Sequence, residues 1–302
     1  MIEPRRTTII EAPRLSKKLG VDLILASETL QYTGSFKFRA AYNVASHVKH
    51  PHIITASSGN FGQAIAFACS LFGKRCTVVM PATAPTVKVD AVRDYGADVD
   101  LIDVKKKSRL DRLSELSKQF PEAYVASPYD DPLVIDGNAT LADELFALGL
   151  DLDFIIAPIG GGGLTSGLVK AVKQSGKATR ILAAEPALSN DAAQSFRAGH
   201  IVALKEESST IADGARVLRI GDTNWDILKD GLADVIEVSE EQIREGVRLL
   251  FALANLKAEP TGALALGAVL ADRPRFKDKR VCCVVSGGNA DPALYAKLIE
   301  GI

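Results

Sequence analysis

The sequence predicts an α/β protein made of two open, twisted, parallel-sheet domains. Two observations carry that expectation. Short apolar runs alternate with amphipathic helical stretches along most of the chain, and glycine-bearing turns close several of the runs. Such alternation favours parallel strands, because each crossover helix covers a sheet face. A length of 302 residues corresponds to about two domains. No Pro/Gly/Ser linker separates two halves, which points to one domain inserted in the other. The limits expected are 46–126 for the small inserted domain, with 1–45 and 127–302 forming the large one.

Taken in order, HIITA (52–56) reads as a strand, followed by a helix from about Asn60 to Phe72. CTVVM (76–80) is a second strand, then a helix from Thr86 to Tyr95, then VDLIDV (99–104) as a third strand. Arg109 to Gln119 has helical spacing, with Leu110, Leu113 and Leu116 expected on one face. DFIIAPI (153–159), a helix from Leu164 to Gln174, and RILAAEP (180–186) make a strand–helix–strand unit. Ser239, followed three residues later by Gln242, has the form of a capping box that opens a helix running to about Leu256. RVCCVV (280–285) is the last strand and PALYAKLI the last helix. Residues 213–230 carry no clear pattern.

Composition narrows the function classes. Lysine plus arginine is 36 and aspartate plus glutamate 37, for a net charge of −1. So balanced a chain has no global field to hold nucleic acid or an anionic membrane. The N-terminus shows no secretory signal, and the longest apolar runs fall far short of the roughly 18 residues of a spanning helix. A cytoplasmic protein is expected, with neither a nucleic-acid nor a membrane partner. The cysteines Cys69, Cys76, Cys282 and Cys283 lack CxxC spacing and read as small buried hydrophobes.

Chemistry concentrates in four turns: SSGN at 57–60, GGGG at 160–163, ADG at 212–214 and SGGN at 286–289. In open α/β sheets ligands bind beyond the carboxyl ends of the strands, where such turns lie. Four consecutive glycines before a helix turn backbone N–H groups and the helix's positive end toward an anion, which is a phosphate cradle. A Walker A loop is disfavoured, because Gly167 is followed by Leu168 rather than Lys. A dinucleotide fingerprint is weakened, since both reading frames meet Thr165 or Ser166 at the third glycine. Glu185 ends the next strand, where a ribose-binding acid would sit, so a nicotinamide-dependent oxidoreductase stays open. Lys37, between Phe36 and Phe38, lies in a small, apolar segment that would desolvate its amine and make it a nucleophile. A nucleophilic lysine together with a phosphate cradle suggests pyridoxal phosphate held as a Schiff base.

The set SFKFR (35–39), SSGNFGQ (57–63), GGGGLTSG (160–167), TIADG (210–214), EPTGA (259–263) and SGGN (286–289) resembles the fold-type II pyridoxal-phosphate enzymes, tryptophan synthase β-like in architecture. The branch it most resembles holds the serine/threonine dehydratases and serine racemases. The resemblance implies a cofactor in an interdomain cleft and a homodimer. It implies that Lys37 carries the cofactor and moves the Cα proton, with Phe36 beside it. Asn60 would bond the ring hydroxyl, Gly160, Gly161, Gly162, Gly163 and Leu164 the phosphate, and Ser286 the pyridine nitrogen. Ser57, Ser58, Gly59, Asn60 and Phe61 would grip the substrate carboxylate, and Arg109 corresponds to a substrate-facing arginine. Glu185, Ser189 and Asp191 would hold magnesium or another divalent cation, against the alternative that the two acids cap a helix. Phe61 stands where many relatives have histidine.

A hydroxyl at Ser286 would make the ring a weaker electron sink than a carboxylate would, which suits prompt β-elimination. The activity implied is therefore an ammonia-lyase (dehydratase) acting on a small-molecule β-hydroxy amino acid: threonine, serine, hydroxyaspartate or phenylserine. Ser58 keeps a serine or aspartate racemase open, because that position supplies the second acid/base in the racemase branch.

Overall fold

The computed structural model describes residues 2–57, 59–84 and 86–301. The chain runs β1 (Thr8–Glu11), α1 (Pro13–Leu19), β2 (Asp22–Ser27), α2 (Lys37–His47), β3 (His52–Ala56), α3 (Asn60–Leu71) and β4 (Arg75–Pro81). It continues with α4 (Thr86–Asp94), β5 (Asp98–Ile102), α5 (Arg109–Gln119), β6 (Ala123–Val125), α6 (Pro132–Ala147), β7 (Phe154–Pro158) and α7 (Gly163–Ser175). Then come β8 (Arg180–Pro186), α8 (Asp191–Ala198), α9 (Asp222–Gly231), β9 (Asp234–Val238), α10 (Glu240–Ala254), α11 (Leu264–Ala271), β10 (Arg280–Val285) and α12 (Pro292–Glu300). Among the described residues no helix is long and apolar enough to cross a membrane.

Two compact units emerge. The smaller comprises Met1–Arg5, Gln31–Thr33 and Lys37–Asn138, and the larger comprises Arg6–Leu30, Gly34–Phe36 and Ala139–Ile302. The stretch 46–126 lies within the smaller unit. That unit also takes in α2 and residues 127–138, because Phe38, Ala41, Val44 and Val134 are buried in the same apolar cluster as Ile53 and Val78.

The larger unit holds a six-stranded sheet in the order β1-β2-β10-β7-β8-β9. Its strands are parallel except β1, which runs antiparallel to β2 with Thr8 opposite Ser27. The edge strand β1 was not read from the sequence, and its antiparallel direction has a geometric reason. The connecting stretch 12–21 is shorter than the dozen or so residues a parallel crossover needs. The inner strands are buried on both faces. Cys282 and Val284 pack in one core with Ile24, Ile155 and Ile181, while Val281, Cys283 and Val285 pack in the other with Leu25, Ile156 and Leu182. That two-sided burial explains the unbroken apolar run. It pushes the Cys282 pKa up to about 12 and raises that of Cys283 as well, so both stay as inert thiols.

The smaller unit holds a four-stranded parallel sheet in the order β5-β4-β3-β6. One face, with Ile53, Cys76, Val78 and Met80, shares a core with Phe38, Phe61 and Val89. The other face, with Ile54, Val79 and Ile102, lies against Leu116 and Leu113 of α5. Leu110 does not join that face and is 77% exposed. Each three-residue step falls about 60° short of a full turn of a 3.6-residue helix, so Leu110 lies about 120° around α5 from Leu116.

Candidate active site

In the smaller unit the site begins at Lys37, the first residue of α2. The side chain is half-buried, and Nζ donates to the carbonyl of Pro128 across 2.6 Å. The amine also stands 5.7 Å from the centre of the Phe61 ring. Pro128 lies on a braced turn after β6. The Ser127 hydroxyl accepts from Asp130 N at 2.9 Å, and buried Asp131 accepts from Leu133 N and the Tyr124 hydroxyl, each at 2.8 Å. Burial, then the Asp131 hydrogen bond, raise the Tyr124 pKa, which keeps that phenol a donor. Sequence reasoning missed Pro128, since a backbone carbonyl has no residue signature.

The turn between β3 and α3 places the expected carboxylate loop at the carboxyl end of β3, beside Lys37. Ser57 Oγ accepts from Gly62 N at 3.1 Å and Gly59 N at 3.4 Å, closing the turn on itself. A Cβ on Gly62 would stand 2.7 Å from the Ser57 carbonyl, so glycine is needed there. Gly59 caps α3, Asn60 opens it, and Phe61 is buried beneath it. The first N–H groups of such a helix have no intrahelical acceptor and can bind a carboxylate. Ser58 lies outside the described residues. Arg109 opens α5, beyond the carboxyl end of β5 and so on the same sheet edge, with Ser108 as its N-cap.

In the larger unit the glycine loop joins β7 to α7. Gly160 packs on residues 214–215, where a Cβ would stand 3.2 Å from Ala215 Cα. The Gly161 carbonyl accepts from Gly221 N at 3.1 Å and from Asn224 Nδ2 at 2.8 Å. Gly162 has φ 98, a left-handed conformation, and its Cβ would lie 2.9 Å from Asn224 Cβ. The Gly162 carbonyl accepts from Ser166 N at 2.8 Å and Thr165 Oγ1 at 2.9 Å. Carbonyls are thus tied into the protein, and Gly163 and buried Leu164 start α7 with unpaired helix N–H groups. The buttress comes from the stretch 213–230 that showed no pattern: a 3₁₀ turn at 213–215 and α9.

Ser286 follows β10 and is 1% exposed. Its carbonyl accepts from Phe36 N at 2.9 Å, and Ser35 pairs with Gly287, so the residue before Lys37 is clipped to this loop. Phe36 is half-buried against the larger unit's core. The Ser286 hydroxyl has no hydrogen-bond partner among the described residues. A buried unpaired hydroxyl beside a glycine turn suits a ring nitrogen, so Ser286 and the glycine cradle both fit pyridoxal phosphate.

Glu185, at the end of β8, caps α8: its oxygens accept from Ala192 N at 2.7 Å and Ala193 N at 2.8 Å. Capping does not account for Asp191. That side chain is fully buried, and neither carboxylate oxygen has a partner among the described residues. Burial pushes the Asp191 pKa up to about 7, and burial together with the Asp191 charge raises that of Glu185. The Ser189 hydroxyl is likewise buried and unpaired. Among the described residues no group of three or more His, Cys, Asp or Glu converges on a metal-sized site. Glu185 and Asp191 are thus two buried acids close enough to interact, the second without a side-chain partner among the described residues.

The family model described as "Pyridoxal-phosphate dependent enzyme" matches residues 2–287. The chain is 35% identical over 300 residues to L-threo-3-hydroxyaspartate ammonia-lyase of a Pseudomonas species, covering 98% of this chain and 93% of that protein. It is 34% identical over 299 residues to serine racemase of Schizosaccharomyces pombe, covering 98% and 92%. Among solved structures, a threonine deaminase from T.th. superposes with a TM-score of 0.89 at 38% identity, over 95% of this chain and 94% of that one.

Proposed function

Because this chain belongs to the pyridoxal-phosphate dependent enzymes, we propose that it is an ammonia-lyase converting a β-hydroxy amino acid to a 2-oxo acid and ammonia. The reading rests most on Lys37, whose amine is held beside a backbone-lined carboxylate loop in the same unit. Relatives that act on hydroxyaspartate and threonine support it, and the match to this family displaces the nicotinamide alternative. The substrate is a small amino acid.

Bound pyridoxal phosphate supplies the electron sink that acidifies the substrate's Cα–H bond. Lys37 would carry the cofactor, Gly160–Gly163 and Leu164 would hold its phosphate, Asn60 its ring hydroxyl and Ser286 its ring nitrogen. The residues from Ser57 to Phe61 would bind the substrate carboxylate through backbone donors at the start of α3. Lys37 Nζ then takes the Cα proton as general base. The β-hydroxyl departs as water once it gains a proton. The free enamine tautomerises, and hydrolysis regains one water to give the 2-oxo acid and ammonium. The carbonyl of Pro128 gives the lysine amine a fixed acceptor, which sets the direction from which it works.

Ser286 offers a hydroxyl rather than a carboxylate, which suits quick expulsion of the β-group over a long-lived carbanion. Ser58 and the serine racemase relatives support a second reading, racemisation on the same scaffold. Glu185, Ser189 and Asp191 would hold a divalent cation, Arg109 a distal group of the substrate. The inserted domain would span 46–126, and the enzyme would act as a cytoplasmic homodimer.

The test is a product assay. The cofactor-loaded protein is given L-threonine, L-serine and L-threo-3-hydroxyaspartate, and oxo acid, ammonium and enantiomer are measured. Equal amounts of oxo acid and ammonium support the lyase. Enantiomer without ammonium would replace it with the racemase.

A further inference from the structure

In the smaller unit the Lys37 amine meets a carbonyl and an aromatic ring, and both are held from behind. Thr55 Oγ1, buried in β3, donates to the carbonyl of Ala126 at 2.8 Å, and Ala126 N donates to the carbonyl of Ile54 at 2.9 Å. These bonds tie the chain after β6 to the end of β3, so Pro128 comes to the same sheet edge as the turn that opens α3. Phe61 is the second residue of α3. It is 1% exposed, and its ring shares a core with Phe38, Ile65, Val78 and Met80.

Lys37 Nζ lies over that ring, 5.7 Å from its centre, and 2.6 Å from the Pro128 carbonyl oxygen. A ring face attracts a cation within about 6 Å, and more strongly where water is kept away. Both neighbours favour one protonation state of the lysine. A carbonyl oxygen bonds more strongly to an ammonium than to a neutral amine, and the negative face of a phenyl ring takes a positive charge. Neither group exchanges a proton itself. The ring thus stabilises a protonated Lys37 without placing a second titrating group beside it, as a histidine at position 61 would.

We propose that Phe61 is a positioning residue for the reaction, its ring holding Lys37 in the protonated form between two proton transfers. This deepens the lyase reading and rests on Lys37 as its base. The amine takes the Cα proton and becomes an ammonium that faces the ring and the Pro128 carbonyl. The electron pair of the broken Cα–H bond forms the second Cα–Cβ bond, and the Cβ–O pair leaves with the hydroxyl. The ammonium gives one proton to that hydroxyl, which departs as water, and the amine is restored. Phe61 acts through Lys37 alone, since a ring buried in the core does not reach the substrate.

The test replaces Phe61 in the full chain by 4-fluoro-, 3,5-difluoro- and pentafluorophenylalanine. Fluorine drains negative charge from the ring face while nearly keeping its shape, and equal melting temperatures verify the packing. With the cofactor stripped off, the rate at which trinitrobenzenesulfonate labels Lys37 at one fixed pH is read by peptide mass mapping. It should rise stepwise along the series, by about fivefold or more at the pentafluoro end, because less of the amine is held as ammonium. In the cofactor-loaded enzyme kcat should fall along the same series while KM is unchanged. A ring that only packs would not move the two rates in opposite directions. Equal labelling rates in all four proteins, or a kcat that stays level while labelling rises, would overturn the proposal. Labelling needs neither cofactor nor substrate, so a wild type that releases no oxo acid counts against the lyase reading, and the labelling series still decides whether the ring holds the ammonium.

Discussion

The side-chain amide of Asn224 donates to the carbonyl of Gly161 across 2.8 Å, and Asn224 Cβ fills the space a side chain on Gly162 would need. This one residue both ties back a loop carbonyl and leaves no room for a side chain at position 162. Replacing it with alanine leaves the Gly161 carbonyl on Gly221 N alone. Asn224→Ala should weaken cofactor binding by about 1–2 kcal/mol, a factor of roughly 5–30. Cofactor absorbance followed on dilution reads this directly; an unchanged dissociation constant would remove Asn224 from the cradle.

Ser286 makes a prediction with two signs. A buried hydroxyl without a partner carries a desolvation penalty of about 1–3 kcal/mol. Ser286→Ala should therefore leave the cofactor-free protein as stable as the wild type, or more so. The cofactor-loaded variant should be less stable than the loaded wild type. Thermal melts of all four samples decide it, and equal losses in both states would mean that the hydroxyl only packs.

Asp191 is the carboxylate that helix capping leaves unexplained. If a cation sits between it and Glu185, a chelator should lower the wild-type melting temperature and magnesium should restore it. Asp191→Asn should respond to neither addition. A variant that tracks the wild type through both additions would return Glu185 and Asp191 to a purely structural role.

His52 predicts a pH dependence. Burial, and then the Arg75 charge, hold its pKa below the ordinary imidazole range. The folded chain thus binds a proton less readily than the unfolded one. This contribution is complete above the unfolded value of about 6.5 and is lost as the pH falls through that region. His52→Gln should narrow the difference in stability between pH 7.5 and pH 5.5, compared by urea denaturation. A difference as wide as in the wild type would assign the acid sensitivity elsewhere.

Much of the fold was legible because its physics is local. The strands 52–56, 180–186 and 280–285 have the bounds read from their apolar runs, since strands buried on both faces are apolar along most of their length. The capping box is formed on both arms, with Gln242 N donating to Ser239 Oγ and Ser239 N to Gln242 Oε1. What escaped depends on partners distant in sequence. Asn224 acts across 63 positions and Pro128 across 91, the second through a backbone atom that any residue carries. The antiparallel turn of β1 depends on connection length, and the exposure of Leu110 on the drift of a three-residue repeat around α5.

The central claim is that Lys37 is the residue that carries the cofactor. Borohydride reduction of the enzyme purified with pyridoxal phosphate, followed by peptide mass mapping, tests it most directly. The account predicts a phosphopyridoxyl group on Lys37 and no other lysine. Unmodified Lys37, or the label on another lysine, would contradict it and leave the glycine loop to be explained by a different phosphate ligand.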